Sequence, residues 1–297
     1  PHVLALLQQT EDESTVAEAL AVAVRLAISL HRDGDYLAAL ELASAAGPLA
    51  EPTLGREHRL VLTAQERVGR ALLRLGRFEA SAAVHRRVLA VRERLFGSTD
   101  LDTLSSCQGS YMPLLQLDQS PDGLALVRRA LAGRTQLLGP DHPLNLRARS
   151  NLLTGLPVSE LAHEIDAAEV PHPEGCASHL GREHAVTMHA RLNYGFALFR
   201  LGRYGAARDQ GRVAAADYAR CLGPDHSLTL STQTLCARSL YALGETAPAI
   251  ELMIDVAARR ERTLGAEHPH TCATYAFVEE YREDCRSTTG SPQGEDG

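Results

Sequence analysis

Apolar residues along this chain return at helical spacing on both sides of short glycine-bearing turns. Around Arg74–Phe78 they are Ala71, Leu72 and Leu75 before the turn and Ala80, Val84, Val88 and Leu89 after it. Positions at i, i+3, i+4 and i+7 share one helix face, so each such stretch predicts two amphipathic helices packed through their apolar sides. Helices of roughly 16–18 residues would each be about 25 Å long. Similar turns lie at His31–Tyr36, Arg200–Tyr204 and Ala242–Thr246, and their glycines (Gly34, Gly76, Gly202 and Gly244) keep a phase of 42 residues.

A second glycine series closes each hairpin. Gly55, Gly97, Gly139, Gly181, Gly223 and Gly265 are spaced by 42 residues, each preceded by Leu or Phe. Glycine there fits the left-handed residue that ends a helix. Glu57, Asp141, Glu183, Asp225 and Glu267 follow where a negative side chain meets the free N–H groups of the next helix. Pro143 and Pro269 suit a first helical turn, where no donor is lost. A period of this length marks one helical hairpin copied and stacked.

The predicted fold class is all-α: a right-handed α-solenoid of about six helix-turn-helix units plus a C-terminal capping helix. The units fall at about 13–54, 55–96, 97–138, 139–180, 181–222 and 223–264, with the cap at 265–285. Together they make one superhelix over 1–285, followed by a polar, disordered tail at 286–297. Two units depart from the pattern. In the third, Asp118 stands where glycine is expected, Pro113 is expected to kink the first helix, and Pro121 to open the second. In the fourth, Pro157 should end the first helix early, and Pro171, Pro173 and Gly175 should reduce the second to a loop. An exposed, irregular stretch over 157–179 is the expectation.

Hydrophobic residues make up 44% of the chain but aromatics only 4%, and Trp is absent, so Ala and Leu must fill the core. That suits closely stacked helices better than strands. A net charge of −7 argues against general nucleic-acid binding, which needs a basic excess. All 30 basic residues are Arg. Without lysine there is no P-loop, no Schiff-base chemistry and no kinase strand lysine. The six cysteines (Cys107, Cys176, Cys221, Cys236, Cys272 and Cys285) are scattered and read as buried thiols in a reducing compartment. The apolar run Ala19–Val24 is too short to span a bilayer, and no leader pattern is visible. The expectation is a cytoplasmic chain with no membrane contact.

Candidate chemistry is thin. His58, His142, His184, His226 and His268 recur at one repeat position, which points to a structural role in the turn. His172, Cys176, His179 and His184 have zinc-binding residue types but no standard spacing. His163-Glu164 is half of a zincin motif, with Ala167 where the second His would stand. There is neither G-x-S-x-G nor G-x-G-x-x-G. No catalytic residue, metal site or cofactor is assigned.

The segments Leu138–Pro143, Asn151–Leu156 and Asn193–Tyr204 carry a family likeness. Over about residues 15–285 the chain resembles tetratricopeptide-repeat proteins, in the 42-residue form of kinesin light chains and many bacterial proteins. The resemblance implies that the first helix of each unit lines a concave groove. The implied groove residues are Arg67, Arg70, Arg74, Gln108, Met112, Arg147, Asn151, His189, Asn193, Phe196, Arg200 and Arg238. Asn would hold a ligand's backbone, because an amide both donates and accepts, and Arg would fork onto carboxylates or phosphates. Tyr194, Phe196 and Phe199 are either an aromatic platform or half core.

The implied function is a non-enzymatic scaffold or adaptor binding a protein or peptide of acidic character, or one with a C-terminal carboxylate. Two other classes fit the same chain. One is a sensor or regulatory segment of a larger bacterial signalling NTPase. The other is an accessory or unusual enzyme with a pocket at the irregular fourth repeat.

Overall fold

A computed structural model describes residues 2–166 and 172–289, with side chains through Glu283. Ala167, Pro171, the Cys285 side chain and residues 290–297 of the expected tail lie outside the described residues. Among the described residues there are fifteen helices and no strand. The chain divides into two compact units, Pro1–Leu156 and Pro157–Gly297, at a boundary inside the irregular fourth repeat.

The first unit holds α1 (His2–Gln9), α2 (Glu13–Asp33), α3 (Tyr36–Leu54), α4 (Arg59–Arg74), α5 (Phe78–Phe96), α6 (Leu101–Gln116), α7 (Ser120–Leu138) and α8 (Pro143–Gly155). The second holds α9 (Val158–Asp166), α10 (Pro173–Leu180), α11 (Ala185–Arg200), α12 (Tyr204–Leu222), α13 (Ser227–Ala242), α14 (Thr246–Leu264) and α15 (Pro269–Thr289). Within each unit most helices pack on the next in sequence, and first helices also meet the first helix of the following hairpin, as α2 meets α4, α4 meets α6 and α11 meets α13. That is the packing of an α-solenoid. Small side chains allow it: Ala19, Ala23, Ala46, Ala50 and Ala64 are buried together with Val16, Leu20 and Val61.

The two glycine series do different jobs. After α4, α11 and α13 the chain turns through Gly76, Gly202 and Gly244, all at positive φ. The next N–H reaches back five residues, as in Arg77 to the Leu72 carbonyl at 2.9 Å, which is the six-to-one bond of a Schellman motif. Asp118 fills the same place in the third unit at φ 57°, and Gln119 N–H still reaches the Leu114 carbonyl. The anchor series is not left-handed helical, contrary to the sequence expectation. Gly97 has φ 83° and ψ 171°, a region that only glycine occupies without strain.

The helix starts also differ from expectation. The acidic residue after the anchor is not the cap; the histidine is. Nδ1 of His58, His142, His184 and His226 accepts the N–H two residues on, at 3.2–3.3 Å, and His268 does the same at 3.1 Å. Asp100 replaces the histidine in the third unit and caps Asp102 at 2.9 Å.

The prolines act mostly as punctuation. α6 continues through Pro113, and Pro121 lies in the first turn of α7. Pro157 follows the end of α8. Pro173 and Gly175 do not dissolve their segment: Pro173 opens α10, with its missing donor at a position that needs none. α15 runs on to Thr289, so residues 286–289 are helical. By length and composition α2 is apolar enough to cross a bilayer. In the fold, its face bearing Val16, Leu20, Ala23 and Ala27 is buried among α1, α3 and α4.

Candidate functional site

In the first unit, α4 carries Glu66, Arg67 and Arg70 within little more than one turn, so both arginines can fold onto the one carboxylate. Glu66 is 2% exposed. Its Oε1 accepts from Arg67 Nη2 at 2.9 Å and from Arg70 Nη2 at 2.8 Å and Nε at 3.0 Å. Its Oε2 accepts from Arg92 Nη1 at 2.7 Å. Arg92 comes from α5 and is 1% exposed. It also donates to Ser106 Oγ at 2.8 Å, the Asp102 carbonyl at 3.1 Å and Thr63 Oγ1 at 3.0 Å, tying α4 to α6.

One repeat later, Arg134 of α7 does the same for its own hairpin. Its guanidinium donates to Gln108 Oε1 and, at 3.0 Å, to Ser105 Oγ. Arg147 on α8 is half-buried, and no hydrogen-bond acceptor meets it among the described residues. Arg67, Arg70, Arg92, Arg134 and Arg147 thus gather around one carboxylate.

The protonation equilibria register the imbalance. Burial would raise the Glu66 carboxyl, but the charges of Arg70, Arg67 and Arg92 hold it far below the usual carboxylate range. Burial, then repulsion from Arg70, brings Arg67 down to about 10. Burial, then repulsion from Arg70 and Arg134, brings Arg147 to about 10. Arg134 is lowered by burial and by Arg70. Like charges held this close in a partly dry site favour an added anion. Arg67 Nε, Arg92 Nε, Arg134 Nε and Gln108 Nε2 are buried donors with no acceptor among the described residues.

Beneath the cluster lies His85 of α5, fully buried, with neither ring nitrogen hydrogen-bonded among the described residues. Its ring packs against Gly69 of α4 and Gly109 of α6, where a side chain would collide with it. Burial lowers its pKa to about 4; Glu66 opposes the shift and Arg70, Arg67 and Arg92 reinforce it.

The groove positions named from the sequence fall on first helices in both units. In the first unit Arg67 and Arg70 are half-buried in ion pairs with Glu66, and Arg74 lies 5.1 Å from the Tyr36 ring and donates to its hydroxyl at 3.2 Å. Gln108 and Asn151 are buried, and Met112 is half-buried. In the second unit Asn193 is buried and His189, Phe196 and Arg200 are half-buried. Tyr194, Phe196 and Phe199 pack onto Leu198, Ala207 and Leu235, so they are partly core. Arg238 is clasped between the Phe199 and Phe277 rings at 4.6 and 4.7 Å.

The second unit has its own buried carboxylate, Asp217, bonded to Arg191 at 2.9 Å, Arg220 at 3.1 Å and Arg182 at 3.2 Å. Arg182 and Arg220 are more than half exposed, and Arg220 also pairs with Glu183 at 2.9 Å. Water and a second carboxylate therefore share that positive charge.

The zinc-like quartet does not assemble. His184 caps α11, His179 Nδ1 donates to the Gly175 carbonyl at 2.8 Å, and His172 meets Glu174 and the Tyr194 ring. Among the described residues no three His, Cys, Asp or Glu side chains converge. Arg92 and Arg134 are missed by a template that looks only at first helices. Their signal is nonetheless in the chain, since Arg92, Arg134 and Arg260 each stand five residues before an anchor glycine. Arg260 reaches the next first helix too, through the His270 carbonyl and the Thr274 hydroxyl.

A tetratricopeptide-repeat family model matches residues 18–104 and 183–262, and a second tetratricopeptide-repeat model matches 114–144. No curated protein matches the sequence. Two crystal structures of a Podosopora anserina protein, described as a putative kinesin light chain with nearly identical TPR-like repeats, are similar. One is a variant with a single glutamine-to-methionine substitution, at 20% identity over 82% of this chain and 95% of that one, with TM-score 0.42. The other has 20% identity over 82% and 96%, with TM-score 0.43.

Proposed function

Because the chain belongs to the tetratricopeptide-repeat family, whose members are commonly protein-interaction scaffolds, we propose that it is a non-enzymatic adaptor whose first unit receives an acidic segment of a partner protein. The observation that carries this reading is the excess of guanidinium over carboxylate on α4 and α8, backed by Arg92 and Arg134. Such a wall, within a chain of net charge −7, attracts acidic groups locally without making the protein a general polyanion binder. Arg147 is the residue best placed to meet the partner, since no internal acceptor holds it among the described residues. Cys107, Cys176 and Cys236 are buried, but Cys221 and Cys272 are exposed, contrary to the sequence expectation; a reducing, cytoplasmic setting belongs to this proposal.

Fluorescence anisotropy with a labelled hexa-aspartate peptide and its hexa-asparagine counterpart tests the proposal. The acidic peptide should bind more tightly, and Arg147→Gln should weaken it by about tenfold, in keeping with the loss of one charge-assisted contact. Helicity should be unchanged. Equal affinity for the two peptides, or for the variant and the wild type, would overturn the reading.

A further inference from the structure

The cluster's donors differ in what they already hold. Glu66 satisfies much of Arg70 and one side of Arg67 and Arg92. What remains is a donor-only set: the Arg147 guanidinium, Arg67 Nε, Arg92 Nε, Arg134 Nε and Gln108 Nε2. These lie on α4, α5, α6, α7 and α8, and the charges of Arg67 and Arg134 both interact with that of Arg147. A neutral hydroxyl or amide would bring its own hydrogens to a site rich in donors and is disfavoured. A carboxylate brings two oxygens and one charge, the same complement that Glu66 already supplies. It would leave most of the positive excess standing. A phosphate monoester brings three oxygens in tetrahedral array and close to two charges at neutral pH. Guanidinium forks suit those oxygens as pairs of parallel bonds.

Resting on the acidic-partner reading above, we infer that the anion taken by this cluster is a phosphate group, with Glu66 as the resident counter-ion that sets the preference against simple carboxylates. Glu66 holds Arg67 and Arg70 in place and uses their carboxylate-sized capacity, so the incoming group must offer more charge and more oxygens than a second carboxylate. Two sources share this chemistry: a phosphorylated side chain of a partner and a free phosphate-bearing small molecule. Arg238 of the second unit serves as the control, because its guanidinium is taken up by two aromatic rings.

Calorimetric titration of the full chain at constant ionic strength tests this with four probes: inorganic phosphate, pyrophosphate, acetate and the dipeptide glycyl-phosphoserine. The phosphate probes should bind about tenfold or more tightly than acetate, as expected of multidentate charge-assisted contacts. Arg147→Gln should remove that preference at an unchanged unfolding midpoint, and Arg238→Gln should leave it intact. A tighter grip on glycyl-phosphoserine than on pyrophosphate supports the inference with a phosphorylated partner as source; the reverse supports it with a small molecule. Acetate binding as tightly as phosphate overturns it, and so does a preference that survives Arg147→Gln. The wild-type comparison decides alone if a variant fails to fold. Should the phosphate probes fail while hexa-aspartate still binds through Arg147, this inference falls and the acidic-partner reading stands; should both fail, both fall.

Discussion

His85 is neutral because burial leaves it no water and no hydrogen-bond partner among the described residues, with three guanidiniums opposing its charge and one carboxylate favouring it. Its pKa is about 4 in the folded chain, against an unperturbed 6.5. Between those values the unfolded chain binds a proton that the folded chain refuses. The contribution of His85 is therefore whole above the unfolded pKa and is lost as pH falls toward 4. One proton of difference is worth about 1.4 kcal/mol per pH unit. Urea unfolding from about pH 6.5 to 4, the window between the two pKa values, should show that slope reduced by about one proton in His85→Gln. An unchanged slope would mean the imidazole is charged or solvated in the fold. The sequence could not announce this residue, for His85 lies outside the repeated histidine series. The repeated histidines were legible as structural, and Nδ1 capping in five turns is the physical reason they recur.

At the scale of helices, the cluster depends on how closely α4, α5 and α6 approach. A Cβ at Gly69 would stand 2.8 Å from His85 Nε2, and one at Gly109 would stand 2.9 Å from its Cε1. Overpacking of this kind costs about 1–3 kcal/mol. The helix-propensity gain of Ala over Gly is only about 1 kcal/mol. Gly69→Ala should therefore lower the urea midpoint in the wild type and raise it in a His85→Ala background. The same sign in both backgrounds would show that the imidazole is not what excludes a side chain there. Helix pairs and their turns were readable from 42-residue phasing, because a stop glycine and a capping residue are local devices. What phasing could not give is which first-helix groups the second-helix arginines meet. Arg92 and Arg134 bond to residues 26 and 29 positions earlier, and Arg92 also 10 and 14 later, contacts set by packing rather than by neighbours in the chain. The anchor glycines depart from expectation for a related reason: proximity to a helix end fixes that φ is positive but not the value of ψ.

For the molecule as a whole, composition and repeat period were enough for the all-α solenoid class, and the family match bears this out. The groove template, by contrast, named twelve residues as one set, and the fold gives them unequal standing. Asn151 and Asn193 are buried, Phe196 is partly core, and Arg238 is held by two rings. Arg67, Arg70 and Arg147 share a place where positive charge exceeds what Glu66 neutralises. The central claim is that an acidic ligand is drawn to that place. The most direct measurement is a heteronuclear NMR titration following the arginine Nε–Hε resonances as hexa-aspartate peptide is added. The resonances of Arg67, Arg134 and Arg147 should move together while those of Arg191 and Arg238 stay still. Shifts confined to Arg191 and Arg238, or none at any arginine, would contradict the account.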